Sequence, residues 1–127
     1  MSWAVMTDEA LEHFMNPRNA GEMEDADAMG TCGDQDCGDF LTVYIKVKDD
    51  AIDDISFLVC GCAAAIATSS MLTELAMGKT LADAYAISEH DITDALGGLP
   101  EEKLHCSILG AKALKGAIDA YNEKRGV

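Results

Sequence analysis

The stretch Leu41-Thr-Val-Tyr-Ile-Lys-Val-Lys-Asp-Asp-Ala-Ile-Asp-Asp-Ile-Ser-Phe-Leu-Val-Cys-Gly-Cys-Ala63 decides the fold. Leu41, Val43, Ile45 and Val47 alternate with Thr42, Tyr44, Lys46 and Lys48, the period-2 pattern of a strand with one buried face. Asp49-Asp50 makes a turn, and Ile52 resumes the chain beyond it. Ile55, Phe57 and Val59 then form the inward face of a second strand, antiparallel to the first. Gly61 breaks that strand. From Ala63 to Met77 the chain is apolar on most sides, interrupted by Thr68-Ser-Ser70, Thr73 and Glu74. Such a segment is predicted to be a largely buried central helix, which Gly78 stops.

Before the hairpin, Thr7 to Asn16 reads as a helix. Thr7 is the candidate N-cap, Asp8 and Glu9 suit the first turn, and Pro17 ends it. Ala10, Leu11 and Phe14 give it a modest apolar stripe. Residues 17–36 are rich in Gly, Asn and Asp and are predicted to be loop, with a short edge strand around Ala26–Thr31. The run Thr31 to Asp39 offers little that packs and is predicted to be an exposed, mobile turn.

After the central helix, Thr80 caps a short helix through Ile87, and Ser88 caps another through about Leu96. Gly97-Gly98 is a break. The last helix runs from about Pro100 or Lys103 to Lys124. Its core stripe is Ile108, Ala111, Leu114, Ile118 and Tyr121. A second row, Cys106, Gly110, Ala113 and Ala117, is small enough for another segment to approach closely. Strands first and helices after predict an α+β fold: a single domain over residues 1–127, with a small antiparallel sheet of about three strands and helices packed on one face.

Composition narrows the function. The chain has 127 residues, 49% of them hydrophobic, and a formal charge of −14 with no Lys/Arg cluster. Nucleic-acid backbones and anionic membranes would be repelled, whereas a metal ion or a basic patch on a partner would be attracted. An acidic, salt-adapted proteome would explain the sign without any function. No apolar run reaches the ~18 residues of a membrane span. The N-terminus lacks a basic-then-apolar leader, so a cytoplasmic protein is expected. The cysteines are Cys32, Cys37, Cys60, Cys62 and Cys106. An odd count without an export signal argues for metal ligands, nucleophiles or buried filler rather than disulfides.

Three places carry the chemistry. In Cys37-Gly-Asp39 a thiolate and a carboxylate at i and i+2 of an extended segment share one side, although aspartate near glycine is also ordinary turn chemistry. Cys62 precedes the buried helix, and helix N-termini favour thiolate, the metal-binding form; buried filler is the bland alternative. His105-Cys106 opens the last helix. Neighbours on a helix point about 100° apart, so a shared metal is easier to build there than a mutual hydrogen bond. Cys60 has the opposite parity to Val59 and should lie off the core face, as a packing residue in preference to a spare thiol near the site. Cys32 lies in the loop as a spare ligand, and His13 and His90 are read as surface residues. A metal-cluster carrier, a zinc-binding structural or regulatory module, and an enzyme with Cys106 as nucleophile are the three readings open to these residues.

Glu12-His-Phe-Met-Asn-Pro-Arg-Asn-Ala-Gly21, Cys37-Gly-Asp39, Cys60-Gly-Cys-Ala-Ala-Ala-Ile-Ala-Thr-Ser-Ser70, Gly78-Lys-Thr-Leu81 and Leu99-Pro-Glu-Glu-Lys-Leu-His-Cys-Ser107 occur in order over nearly the whole chain. Together they resemble the iron–sulfur cluster assembly scaffold family, which includes the Isc scaffold and the N-terminal domain of the Nif scaffold. The resemblance implies a non-enzymatic scaffold on which a [2Fe–2S] cluster is assembled from iron and then passed to recipient apo iron–sulfur proteins. It puts Cys37, Cys62 and Cys106 at the thiolate positions, Asp39 at the carboxylate position and His105 beside the third thiol. Lys103 matches the family's lysine near the site. A cysteine desulfurase would supply sulfur as persulfide, a frataxin-like protein is among the assisting factors, and zinc is an occupant of the cluster-free site. Thiolates are the usual ligands of such clusters, and a mixed site with one harder donor suits release.

This sequence departs from the family in places. Glu101-Glu102 stands where the bacterial Isc scaffold has Pro-Val, the segment its dedicated Hsp70 chaperone recognises, so two acidic residues argue against that recognition. Cys60 stands where an aromatic residue is usual. Cys32 is extra, which leaves Asp39, His105, Cys32 or a partner residue open as fourth ligand. The resemblance covers the scaffold domain and not the further cysteine-rich regions of the full Nif protein.

Overall fold

The computed structural model describes residues 7–34, 39–61, 63–99 and 104–125, with backbone alone at Asp34, Asp39, Leu104, His105 and Arg125. Strands β2 (Asp39–Lys48) and β3 (Ala51–Cys60) form the expected antiparallel hairpin, from Phe40 opposite Cys60 to Lys48 opposite Ala51. Asp49 and Asp50 turn the chain with φ of 54° and 60°. Two consecutive left-handed residues give the turn whose twist matches a hairpin. A register shift at Lys46/Val47 sets Val47 opposite Ile52. That bulge inverts the parity along β3, so Ile52 and Ile55 are both buried, at 1% and 0% exposure.

The third strand, β1 (Ala28–Asp34), pairs antiparallel with β2, and β2 is central. It extends past the predicted edge strand. Cys32 is therefore not in a loop: it pairs with Leu41 and packs, partly buried, against the core. Of the predicted exposed turn over Thr31–Asp39, Thr31–Asp34 is strand and Asp39 begins β2, and residues 35–38 lie outside the described residues. Gly30 explains the placement. A Cβ there would stand 2.2 Å from the Ala113 carbonyl oxygen and 2.3 Å from the Ala117 nitrogen. Only glycine lets this strand lie directly on the last helix.

That helix, α5 (Leu104–Arg125), runs across the sheet's inner face. Ala111, Leu114 and Ile118 are buried as predicted, and so are Cys106, Ala113 and Ala117 of the small row. At 3.6 residues per turn these positions span an arc of about 160°. Ile108 falls outside it and is 37% exposed, so it does not belong to the core stripe. The β-strand side of the core is Leu41, Val43, Ile45, Ile52, Ile55 and Phe57.

Helix α2 (Ala63–Ala76) is the predicted central helix and packs against β3 and α5. Even its hydroxyl residues Thr68, Ser69, Ser70 and Thr73 are buried, their protons satisfied largely by the preceding turn. Gly78 ends it at φ 81°. Helix α3 (Leu81–Tyr85) is capped by Thr80. Helix α4 (Glu89–Ala95) begins with a reciprocal Ser88–Asp91 capping box. Thr42 and Tyr44, on the outer sheet face, are more buried than alternation implies, at 8% and 7%. Both neighbouring strands flank them. The segment after Asn19 also bonds the Phe57 edge of β3 and then, through the Asp27 N–H, the Ile45 carbonyl of β2.

Helix α1 (Asp8–Met15) is capped by Thr7, whose hydroxyl also donates to the Leu96 carbonyl. Its buried face is Ala10 and, against expectation, His13. His13 is 5% exposed and not a surface residue. It follows Ala10 by three positions, on the helix face that meets α2. His90 is on the surface as expected.

Candidate functional site

One end of the sheet gathers four chain segments. β2 begins at Asp39, whose backbone pairs with Asp34 at the end of β1. β3 ends at Cys60, opposite Phe40, and α2 begins three residues later at Ala63. The first turn of α5 reaches the same place, because Cys106 packs with Ala64 and Ala65 of α2, and Val59 and Leu99 pack against this trio. The short side chains Ala64 and Ala65 are what let α5 approach the start of α2. Thr68 binds the two helices there: its Oγ1 is 3.1 Å from the Ala65 carbonyl and 3.4 Å from the Cys106 carbonyl. Ser107, buried beside Cys106, is tied to α4 through Thr93, oxygen to oxygen 2.9 Å.

Of the predicted ligands, Cys106 is described in full, and it is 1% exposed. Asp39 and His105 are described by backbone, at the first residue of β2 and the second of α5. Cys37, Cys62 and Lys103 lie outside the described residues. The structure thus brings the backbones of Asp39, Gly61, Ala63 and His105–Cys106 to one end of the fold. Among the described residues no three His, Cys, Asp or Glu side chains stand close enough to share an ion.

Two thiols correct the sequence reading. Cys60 does lie off the core face, but it is exposed rather than packed, beside Phe40, Thr42 and Leu58 on the outer sheet surface. Cys32 faces the core from β1. Sequence reasoning also missed Leu99 as a packing partner of the Cys106 cluster. Its apolar character, directly before Pro100 in a polar segment, was the available signal.

The burial of His13 creates a polar network behind the site. Arg18 N–H donates to Ser70 Oγ at 2.8 Å, and His13 Nδ1 is 2.7 Å from the same oxygen, accepting its proton when the neutral ring carries hydrogen on Nε2. Nε2–H then donates to Glu74 Oε1 at 3.0 Å. Burial pushes the imidazole pKa down from its usual value, and the Glu74 carboxylate offsets part of that.

A small three-stranded antiparallel sheet with helices on one face, and a thiol-bearing helix start at one sheet end, define the class of protein: an α+β fold with a candidate metal site at its rim. Residues 5–127 match the family described as NifU-like N terminal domain, and the chain belongs to that family. It is 56% identical over 122 residues to "Iron-sulfur cluster assembly scaffold protein IscU 1" of Archaeoglobus fulgidus, covering 96% of this chain and 80% of that one. It is 46% identical over 121 residues to "Iron-sulfur cluster assembly scaffold protein IscU" of Aquifex aeolicus, covering 94% and 77%. With "Nitrogen fixation protein NifU" of Azotobacter chroococcum the identity is 46% over 117 residues, 91% of this chain and 38% of that protein. The fold matches the crystal structures of a NifU-like N-terminal protein from Brucella abortus (TM-score 0.70, 24% identity, covering 92% and 94%) and of a putative scaffold protein from Fervidobacterium islandicum (TM-score 0.72, 22% identity, covering 93% and 99%).

Proposed function

We propose that this chain is a scaffold on which an iron–sulfur cluster is built and from which it is transferred to apoproteins. The carrying observation is the meeting, at one sheet end, of the Asp39 backbone, the strand-to-helix junction at residues 60–63 and the Cys106 helix start. It is supported by relatives whose names state that role. The cargo is a [2Fe–2S] unit. Cys37, Cys62 and Cys106 hold it as thiolates, and Asp39 or His105 completes the set. A soft-donor set of this kind suits iron and sulfide, and also zinc before loading.

Sulfur arrives from a cysteine desulfurase as persulfide at the zero-valent level. Two such atoms need four electrons to become bridging sulfides: the two ferrous ions give one each on becoming ferric, and a thiol reductant supplies the other two. Cys106 is buried, so loading requires its surroundings to open. The chain acts as a carrier over residues 1–127 in the cytoplasm, and a frataxin-like protein is a further candidate partner.

Anaerobic incubation with ferrous iron, cysteine, dithiothreitol and a desulfurase tests this. Visible absorption should grow with equal iron and acid-labile sulfide, and Cys37→Ser, Cys62→Ser and Cys106→Ser should each lose most of it. Tight zinc that iron cannot displace, with no sulfide bound, would show a zinc module instead.

A further inference from the structure

The end of the molecule away from this site carries a second feature. A cleft of about 610 Å³ opens between α3, the last turns of α5 and the β2–β3 turn. Asp119 lies thirteen residues beyond Cys106 on α5, about 20 Å along the helix axis. The cleft floor is apolar: Leu81 and Ile118 are 7% and 1% exposed. Tyr85 forms one wall at 39% exposure. Asp50 and Asp119 supply two carboxylates, and the Tyr85 hydroxyl donates to Asp119 Oδ2 at 3.4 Å. Among the described residues that line it, none is basic.

We propose that this cleft docks an arginine side chain presented by a basic segment of a partner protein. The aliphatic stem would lie on Leu81 and Ile118, the guanidinium plane on the Tyr85 ring, and its N–H groups on Asp119 and Asp50. The chemistry of the walls selects that occupant. An apolar floor under two carboxylates repels an anion and gives a wholly apolar side chain no partner for the rim. The formal charge of −14 opposes a second copy of this chain, a nucleic acid or an anionic membrane. The ring already attracts one cation: Lys115 Nζ stands 5.6 Å from the Tyr85 centroid while donating to the Ile87 carbonyl at 3.2 Å. The local field is negative, since Asp119 pushes the Tyr85 phenol pKa up. A partner held here leaves the opposite end of α5 free.

The test is a nuclear magnetic resonance titration of the ¹⁵N-labelled chain with the peptide acetyl-Gly-Leu-Arg-Leu-Gly-amide and with its citrulline analogue, which keeps the shape and loses the charge. The arginine peptide should give saturable shifts confined to residues 50, 80–85 and 118–122. The citrulline peptide should bind at least tenfold more weakly. Asp119→Asn and Asp50→Asn should each weaken the arginine peptide at least fivefold with unchanged circular dichroism. Asparagine tolerates the left-handed backbone at residue 50 and keeps a side-chain oxygen at both positions, and the circular dichroism checks that the fold is kept. Equal binding of the two peptides, shifts scattered over the acidic surface, binding indifferent to both substitutions, or no saturable shift would each overturn the proposal.

Discussion

His13 of α1 reaches Ser70 in the middle of α2, imidazole Nδ1 to hydroxyl Oγ 2.7 Å apart and both side chains buried. Ser70 Oγ is also the acceptor for the Arg18 N–H, so one hydroxyl joins the first helix, the loop after it and the central helix. The network is complete with a neutral ring. A proton added to Nδ1 would leave it and the Ser70 hydroxyl as competing donors.

The pH dependence follows from that network. Burial lowers the folded-state pKa of His13 below the 6.5 of an unfolded histidine. The unfolded chain therefore takes up the proton first as pH falls. The neutral-ring stability is fully present above 6.5 and is lost as pH drops from there through the folded value. In urea titrations at pH 7.5 and 5.5 the native chain should lose more stability between the two than His13→Gln. At pH 7.5 the variant should itself be about 1–3 kcal/mol less stable, the cost of leaving buried partners unmet.

Two glycines that face each other should respond with opposite signs. Alanine at Gly30 would drive its Cβ to within 2.2 Å of backbone in α5, and a helix backbone has nowhere to retreat. Gly30→Ala should cost about 3 kcal/mol or more and loosen β1 from the helix. A Cβ at Gly116 meets only Gly30 Cα, at 3.6 Å, an ordinary contact. Gly116→Ala should leave stability unchanged or raise it by up to about 1 kcal/mol through helix propensity. Thermal melts of both variants check the pair.

How much of this was readable from sequence depends on what each residue advertises. Leu41, Val43, Ile45, Ile55 and Phe57 are large and alternate, so the hairpin and its buried face could be read directly, as could the Thr7, Thr80 and Ser88 caps. β1 was under-read because Ala28-Met-Gly-Thr-Cys-Gly-Asp34 has little β-propensity. Its place is set by the groove on α5 that only Gly30 fits, a tertiary cause. His13 looked like surface because its partners, Ser70 and Glu74, are more than fifty residues away. Ile108 looked like core because the true buried arc is centred between two rows, one of them made of small residues that carry no hydrophobic signal. At the site, the motif spacing indicated which segments should meet; the structure brings the backbones of Asp39, Gly61 and Cys106 to one end, while Cys37 and Cys62 lie outside the described residues. That Val59 and Leu99 would pack against the Cys106 cluster depends on packing across three elements, which no local pattern records.

Burial makes the described thiols differ in reactivity. Cys60 is exposed, Cys32 intermediate and Cys106 buried. Brief alkylation with iodoacetamide, followed by peptide mass spectrometry, should modify them in that order, with Cys106 at least tenfold slower than Cys60. Leu99→Ala removes part of the apolar packing against the cluster that holds Cys106. It should speed labelling of Cys106 several-fold while leaving Cys60 unchanged. Equal acceleration at both would mean that the fold had loosened generally.

The proposed scaffold role makes its sharpest demand on Asp39. Its backbone opens β2 at the rim, one residue before the Phe40–Cys60 pair. A carboxylate oxygen is a harder ligand than thiolate or imidazole, and it is the donor an incoming thiolate displaces most easily. With alanine there, the fourth position passes to a softer group such as His105, and the acceptor loses its point of entry. Asp39→Ala should therefore load a cluster normally and release it to an apo-ferredoxin roughly tenfold more slowly, about 1.4 kcal/mol on the transfer barrier. Following the circular dichroism of the ferredoxin cluster as it forms measures this. Transfer as fast as from the native chain, or faster, would remove Asp39 from the role and leave lability to the remaining donors.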